Sequence, residues 1–248
     1  MWRWLFFFVL IGSSGVNADT SQTVRFACNY FPPQKLYAPE NGTHPGIDVE
    51  LLQSISEQMN LKAHFEFFPW KRAYAMVQTG EMDALCSCSY LKKREADFIF
   101  TDPIGTVSKG LFARSDDVFA GIKTLADLRD KRVGVVSGYN LESELDASGV
   151  KKIEQANSEE SLFNMLMYKR VDLIYAYEKT TRFAINHQSG PHAIHFLQLE
   201  TSPYYTCFSR AKADAQQQVD RFNEVLRKTI EAGLPDKINA RYLDPALD

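Results

Sequence analysis

Along this chain, short runs in which apolar and polar residues alternate take turns with stretches in which apolar residues recur every three or four positions, so the pattern reads strand, helix, strand. Residues 24–28 are β-branched and aromatic and run into Asn29-Tyr30-Phe31-Pro32-Pro33, which predicts a first strand stopped by prolines. After a loop rich in Pro, Gly and Asn, the helical spacing of Leu51, Leu52, Ile55 and Met59 predicts a helix with Asp48 as its cap. Ala63, Phe65 and Phe67 alternate as in a half-buried strand. Pro69 then opens a helix that Gly80 stops, and residues 82–89 return as a strand.

A second unit begins after Asp102-Pro103. Thr124 introduces a short helix over residues 125–129, residues 132–136 form a strand, and Ser137-Gly138-Tyr139 makes a tight turn. Asn157 and Glu160 have capping-box spacing for a helix carrying Leu162, Met165 and Leu166, and residues 171–177 give the next strand. Beyond a strand-like stretch at 204–209, a long helix places Val219, Phe222, Val225, Leu226 and Ile230 on one stripe and ends at Gly233. This order predicts an α/β fold of mainly parallel sheets covered by helices. Ligands of such folds bind beyond the carboxyl ends of the strands, where Tyr30, Trp70 and residues 87–89 fall.

At the start of the chain, Arg3, the apolar residues 5–11 and the small-x-small Val16-Asn17-Ala18 read as a cleaved export signal over residues 1–18. Removing Arg3 leaves 27 basic against 31 acidic residues, and no dense basic cluster follows, which argues against a nucleic-acid partner. In an exported protein Cys28, Cys86, Cys88 and Cys207 are free to form disulfides. Two bridges allow three connectivities, and buried unpaired thiols are the alternative. Cys86-Ser87-Cys88 on an extended strand would put both thiols on one face and matches neither a zinc knuckle nor a C-x-x-C pair. The five histidines, His44, His64, His187, His192 and His195, lack metal-ligand spacing, and no activated nucleophile stands out. Neither a metal nor a cofactor is called for.

Five ordered segments carry a resemblance to a known family: Tyr30-Phe31-Pro32-Pro33; Gly46-Ile47-Asp48-Val49-Glu50; Gly80-Glu81-Met82-Asp83-Ala84; Lys93-Arg94 with Phe100-Thr101-Asp102-Pro103; and residues 128–138. Over essentially its whole mature length the chain resembles the type II periplasmic binding proteins of the amino-acid-binding family, the bacterial extracellular solute-binding proteins of family 3. The resemblance implies two hinged Rossmann-like lobes with a ligand cleft between them, one of residues 19–106 plus 204–248 and the other of 107–203. It implies a periplasmic monomer that closes on a small, carboxylate-bearing, amino-acid-like solute and serves an ABC transporter's membrane component or a sensor.

By the same resemblance, Arg94 grips the ligand carboxylate through its planar fork, with Ser87 and Ser89 adding bonds from the strand before it. Trp70 and Tyr30 stand as aromatic walls. Ser137 and Tyr139 flank the turn that meets the ligand from the second lobe. Arg72, just after Trp70, is a further candidate for an anionic group. Relatives place an aspartate for the ligand ammonium where this chain has Tyr177, and Glu178 follows it. Glu178 is also the natural acid in the alternative function, a cyclohexadienyl dehydratase-like enzyme on the same fold, which would need a semi-buried carboxyl poised against its substrate.

Overall fold

The computed structural model describes residues 22–36, 44–186 and 193–242. The expected export signal, and His187 and His192, lie outside the described residues. Among those described, no helix is long and apolar enough to cross a membrane.

Strands β1 (Thr23–Cys28), β2 (Lys62–Phe67) and β3 (Ala84–Ser89) pair in parallel, with α1 (Ile47–Gln58) and α2 (Trp70–Gln78) as their crossovers. The 16-residue β4 (Phe98–Ala113) leads to a second parallel set made of β5 (Arg132–Val136), β6 (Lys152–Ala156) and β7 (Leu173–Tyr177), connected by α3 (Asn140–Ala147) and α4 (Glu159–Met167). After α5 (Glu178–Asn186), the long β8 (His195–Ser209) returns antiparallel to β4, and α6 (Ala215–Glu231) and α7 (Leu234–Tyr242) finish the described chain. The eight strands run β2-β1-β3-β8-β4-β7-β5-β6. Within the sheet, among the described residues, the antiparallel pair β4 and β8 joins the two parallel sets.

Each parallel set is apolar on both faces, as a sheet covered by helices must be. In the first, Phe26, Leu52, Ile55 and Phe222 fill one face and Ala73, Met82, Leu85 and Phe98 the other. In the second, Leu111, Val133, Leu141 and Tyr175 oppose Phe112, Leu162, Leu166 and Ile174.

Several local expectations need correction. Asp48 does not cap α1: Gly46 holds that position at φ +112°, where an added Cβ would lie 2.4 Å from the Gln34 carbonyl oxygen, so glycine alone lets the two segments pass. Ser158, not Asn157, caps α4, accepting the Ser161 N–H at 3.1 Å. Asp102-Pro103 does not end an element. β4 runs through it, and Pro103 sits between two register shifts, where the ladder does without its missing N–H. Ile230 falls off the buried stripe of α6 and is 49% exposed.

The cysteines form Cys28–Cys86 and Cys88–Cys207, with Cα atoms 5.0 and 6.3 Å apart. Cys86 and Cys88 do not share a face. A register shift between Leu85 and Cys88 breaks the alternation, so Cys86 packs with Phe26 and Leu52 while Cys88 packs with Leu85 and Phe98.

Candidate ligand-binding cleft

The carboxyl ends of β1, β3, β5 and β7 converge where the two parallel sets face each other, and the residues just beyond them line a small cavity of about 50 Å³. Arg94 reaches it from a 3-10 turn over Lys92–Ala96 that follows β3. The side chain is only 4% exposed, donates to the Ser89 carbonyl at 2.8 Å, and lies 5.3 Å from the Trp70 ring and 5.7 Å from that of Tyr74. Among the described residues no carboxylate pairs with it. Burial lowers its pKa, with Tyr74 and Tyr177 opposing, yet a guanidinium starts so high that it stays charged. A buried cation stacked on aromatic rings, with no carboxylate partner among the described residues, has the chemistry to accept a carboxylate.

Ser87, Ser89, Trp70 and Tyr139 line the same cavity. Tyr177 lines it too, and hydrogen-bond donors sort themselves around it. The Tyr177 hydroxyl donates to Asn140 Oδ1 at 2.6 Å, so at the 2.8 Å contact with Ser89 the serine must be the donor. Burial pushes the Tyr177 phenol up to about 12, which keeps it a neutral donor at any ordinary pH. Tyr30 and Ser137 border the wider cleft that adjoins the cavity, with Ser137 Oγ donating to Gln155 Oε1 at 2.7 Å.

Two expected residues reach neither the cavity nor the adjoining cleft. Arg72 lies over the Phe68 ring at 5.1 Å on the exposed side of α2. Glu178 starts α5 and is held at 3.0 Å by Arg182, because successive residues at the end of β7 point oppositely and it is Tyr177 that faces inward.

One lining residue escaped the sequence reading. Lys35, 3% exposed, donates to Ser87 Oγ at 2.6 Å and lies 4.9 Å from the Phe31 ring. Burial lowers its pKa to about 8, with the Asp48 carboxylate opposing. Asp48 lies behind the wall, 1% exposed, accepting the Tyr204 hydroxyl at 2.7 Å on one oxygen while the other has no partner. Burial raises its pKa, against the pull of Lys35, Tyr204 and Ser87. Asn29, Phe31 and Asn140 complete the nearby wall. No local signal marks Lys35, since its partner Ser87 is 52 residues away.

The two parallel sets touch across the cleft. Trp70 Nε1 donates to the Gly138 carbonyl at 2.9 Å, Asn29 Nδ2 to the Tyr139 hydroxyl at 3.3 Å, and Lys93 Nζ to Ser143 Oγ at 3.2 Å. Gly138, at φ +80°, makes the approach possible: a Cβ there would lie 3.3 Å from Trp70 and 3.2 Å from Lys71.

Known proteins share this architecture. A histidine kinase sensor domain with similarity to periplasmic binding proteins superposes with a TM-score of 0.79 at 22% identity, covering 91% of this chain and 97% of that one. An ancestral arginine-binding protein bound to arginine superposes with a TM-score of 0.75 at 22% identity, covering 90% and 98%. In sequence, the "Probable amino-acid-binding protein YxeM" of Bacillus subtilis (strain 168) is 24% identical over 213 residues, 83% of this chain and 78% of the relative. The family model described as bacterial extracellular solute-binding proteins, family 3, matches residues 24–245, nearly all of the chain beyond the expected signal. The chain belongs to that family.

Proposed function

We propose that the protein is a periplasmic receptor that closes on a small carboxylate-bearing solute held by Arg94. The observation that carries this reading is the buried Arg94 guanidinium on the cavity wall with no carboxylate partner among the described residues. Trp70 and Tyr139 flank the solute, Ser89 and Asn140 offer it polar contacts, and Ser87 holds Lys35 against the wall. Tyr30 and Ser137 border the entrance. The lobes are residues 19–106 plus 204–248 and residues 107–203. The hinge lies in β4 and β8, where register shifts at Pro103, Gly105 and Lys109 loosen the ladder between the two parallel sets. The protein acts as a monomer and presents its closed form to an ABC transporter's membrane component or to a sensor. The binding-protein names of its relatives, and the engagement of Glu178 by Arg182, favour a receptor over an eliminating enzyme.

A thermal-shift screen of residues 19–248 against amino acids, organic acids and prephenate tests this, because a ligand that binds only the folded state raises its apparent stability. The expected result is a hit that Arg94→Ala abolishes and that is recovered chemically unchanged. A hit indifferent to Arg94, or turnover of prephenate, would overturn the proposal.

A further inference from the structure

We propose that the solute is a small dicarboxylate without a free ammonium group, one carboxylate taken by Arg94 and the second by Lys35. This rests on the receptor reading above and narrows its ligand class. The cavity wall carries two cations, Arg94 and Lys35, and no acidic side chain; its remaining polar groups are hydroxyls and amides. An α-amino acid needs an acceptor for its ammonium, and a cationic amino acid needs two. The position that would supply one holds Tyr177, whose proton is already committed to Asn140 and whose oxygen accepts from Ser89.

The nearest carboxylates do not line the cavity. Asp48 lies behind Ser87 and is held by Tyr204. Glu144 accepts from Lys109, Asn140 and Tyr175. Glu159 borders the adjoining cleft rather than the cavity and meets Thr181.

Lys35 is placed to use its charge. Its ammonium has three donors, of which Ser87 takes one, and no carboxylate lies within ion-pair reach among the described residues. Ser87 and Phe31, which fix the ammonium, both line the cavity, so the remaining donors sit at its wall. Beside a desolvated cation, a ligand carboxylate forms a charge-assisted bond where water competes little. A neutral or cationic ligand end would leave the ammonium with only the Asp48 carboxylate, on the far side of Ser87, to answer it.

The test is calorimetry at pH 7 with malonate, succinate and glutarate, the monocarboxylates propionate and butyrate, and the amino acids glutamate, glutamine and arginine. The expected result is that a dicarboxylate binds at least about tenfold more tightly than any monocarboxylate or amino acid, the difference one charge-assisted bond supplies. Lys35→Met should erase that preference while Arg94→Met removes binding altogether.

A second readout needs no variant. Because Lys35 titrates near pH 8, among Asp48, Tyr204, Tyr177 and Arg94, an anion settling on it should draw in about half a proton at pH 8 and almost none at pH 6.5. Calorimetry in buffers of different ionisation enthalpy measures this. Arg94-dependent binding of an amino acid in preference to every dicarboxylate would overturn this inference and leave the receptor reading standing. So would dicarboxylate binding that Lys35→Met leaves as tight as in the wild type. Failure of every acid to bind would overturn both.

Discussion

Replacing Arg94 by methionine separates a receptor arginine from a structural one. Arg94 is 4% exposed, and withdrawing a cation from water opposes folding by several kcal/mol even after relaxation. The bond to the Ser89 carbonyl returns about 1.5–3 kcal/mol. The contacts with Trp70 and Tyr74 return about 0.5–2 kcal/mol each. These contributions nearly cancel, and methionine keeps the stem's packing on both rings without a charge to desolvate. The unliganded stability of Arg94→Met should therefore stay within about 1 kcal/mol of wild type, roughly 2–4 °C in Tm for a chain of this size. Ligand at 100 times its Kd adds about 2.7 kcal/mol to the wild type, a rise of roughly 5–10 °C. The variant should show none of that rise. Differential scanning fluorimetry with and without any solute that stabilises the wild type measures both quantities. An unliganded Tm lowered by more than about 8 °C, with the ligand-induced rise intact, would refute the reasoning and make Arg94 a structural residue.

Other consequences are equally open to measurement. The Cys88–Cys207 bridge closes a separation of 119 residues, so the double change Cys88→Ser/Cys207→Ser should cost about 2–5 kcal/mol in urea unfolding, and a loss under about 1 kcal/mol would contradict the bridge's stabilising role. Gly138→Ala presses a methyl towards Trp70 and forces a side chain to φ +80°, so ligand affinity by calorimetry should fall by about threefold to tenfold. Burial lifts the Glu159 carboxyl to about 7, with Thr181 opposing, so the folded state holds a proton that the unfolded state releases near the ordinary value of 4.5. Stability should then fall as pH rises from about 4.5 through 7, and Glu159→Gln should remove that fall and gain about 1–3 kcal/mol at pH 8; parallel stability-pH curves for the two proteins would show the carboxyl is not strained.

How much of this was legible along the chain depended on the range of the forces involved. The strands carrying Phe26, Phe65 and Val133 and the helices carrying Leu52 and Leu162 announce themselves because one buried face imposes a period over neighbouring residues. β6 was not read: four of its five residues are partly or fully exposed, so no apolar period marks it. The outer part of β8 has the same excuse. β4 was hidden by Pro103, a residue that usually argues against a strand and is tolerated here at a register shift. In the site, Arg94, Ser87 and Ser89 were singled out through the family resemblance, and β3 and the turn after it bring all three to the cavity wall. Lys35 and Asp48 were not. A lysine in a proline-rich loop and an aspartate in a first helical turn each have an ordinary local explanation, and only the tertiary fold buries them on either side of Ser87 and Tyr204.

Those same contacts give a physical reason for a ligand at Arg94 to be felt at the crossing strands. Arg94 donates to the carbonyl of Ser89, whose hydroxyl donates to Tyr177, and Tyr177 donates to Asn140. Asn140 in turn donates to Glu144, which Lys109 of β4 holds at 2.8 Å on both oxygens while also reaching Glu200 of β8 at 3.1 Å. Apart from the Asn140–Glu144 bond within α3, each step is a hydrogen bond or ion pair between different elements, and the chain ends on the two strands that join the parallel sets, beside the register shift at Lys109. Opening the cleft between β3 and β7 would break the Ser89–Tyr177 link and leave Tyr177 and Asn140 bonded on their own side. On the proposed receptor reading, a carboxylate on Arg94 would steady the Ser89 end of that link and so favour the arrangement in which all of the bonds are made, a population shift with a named set of contacts behind it.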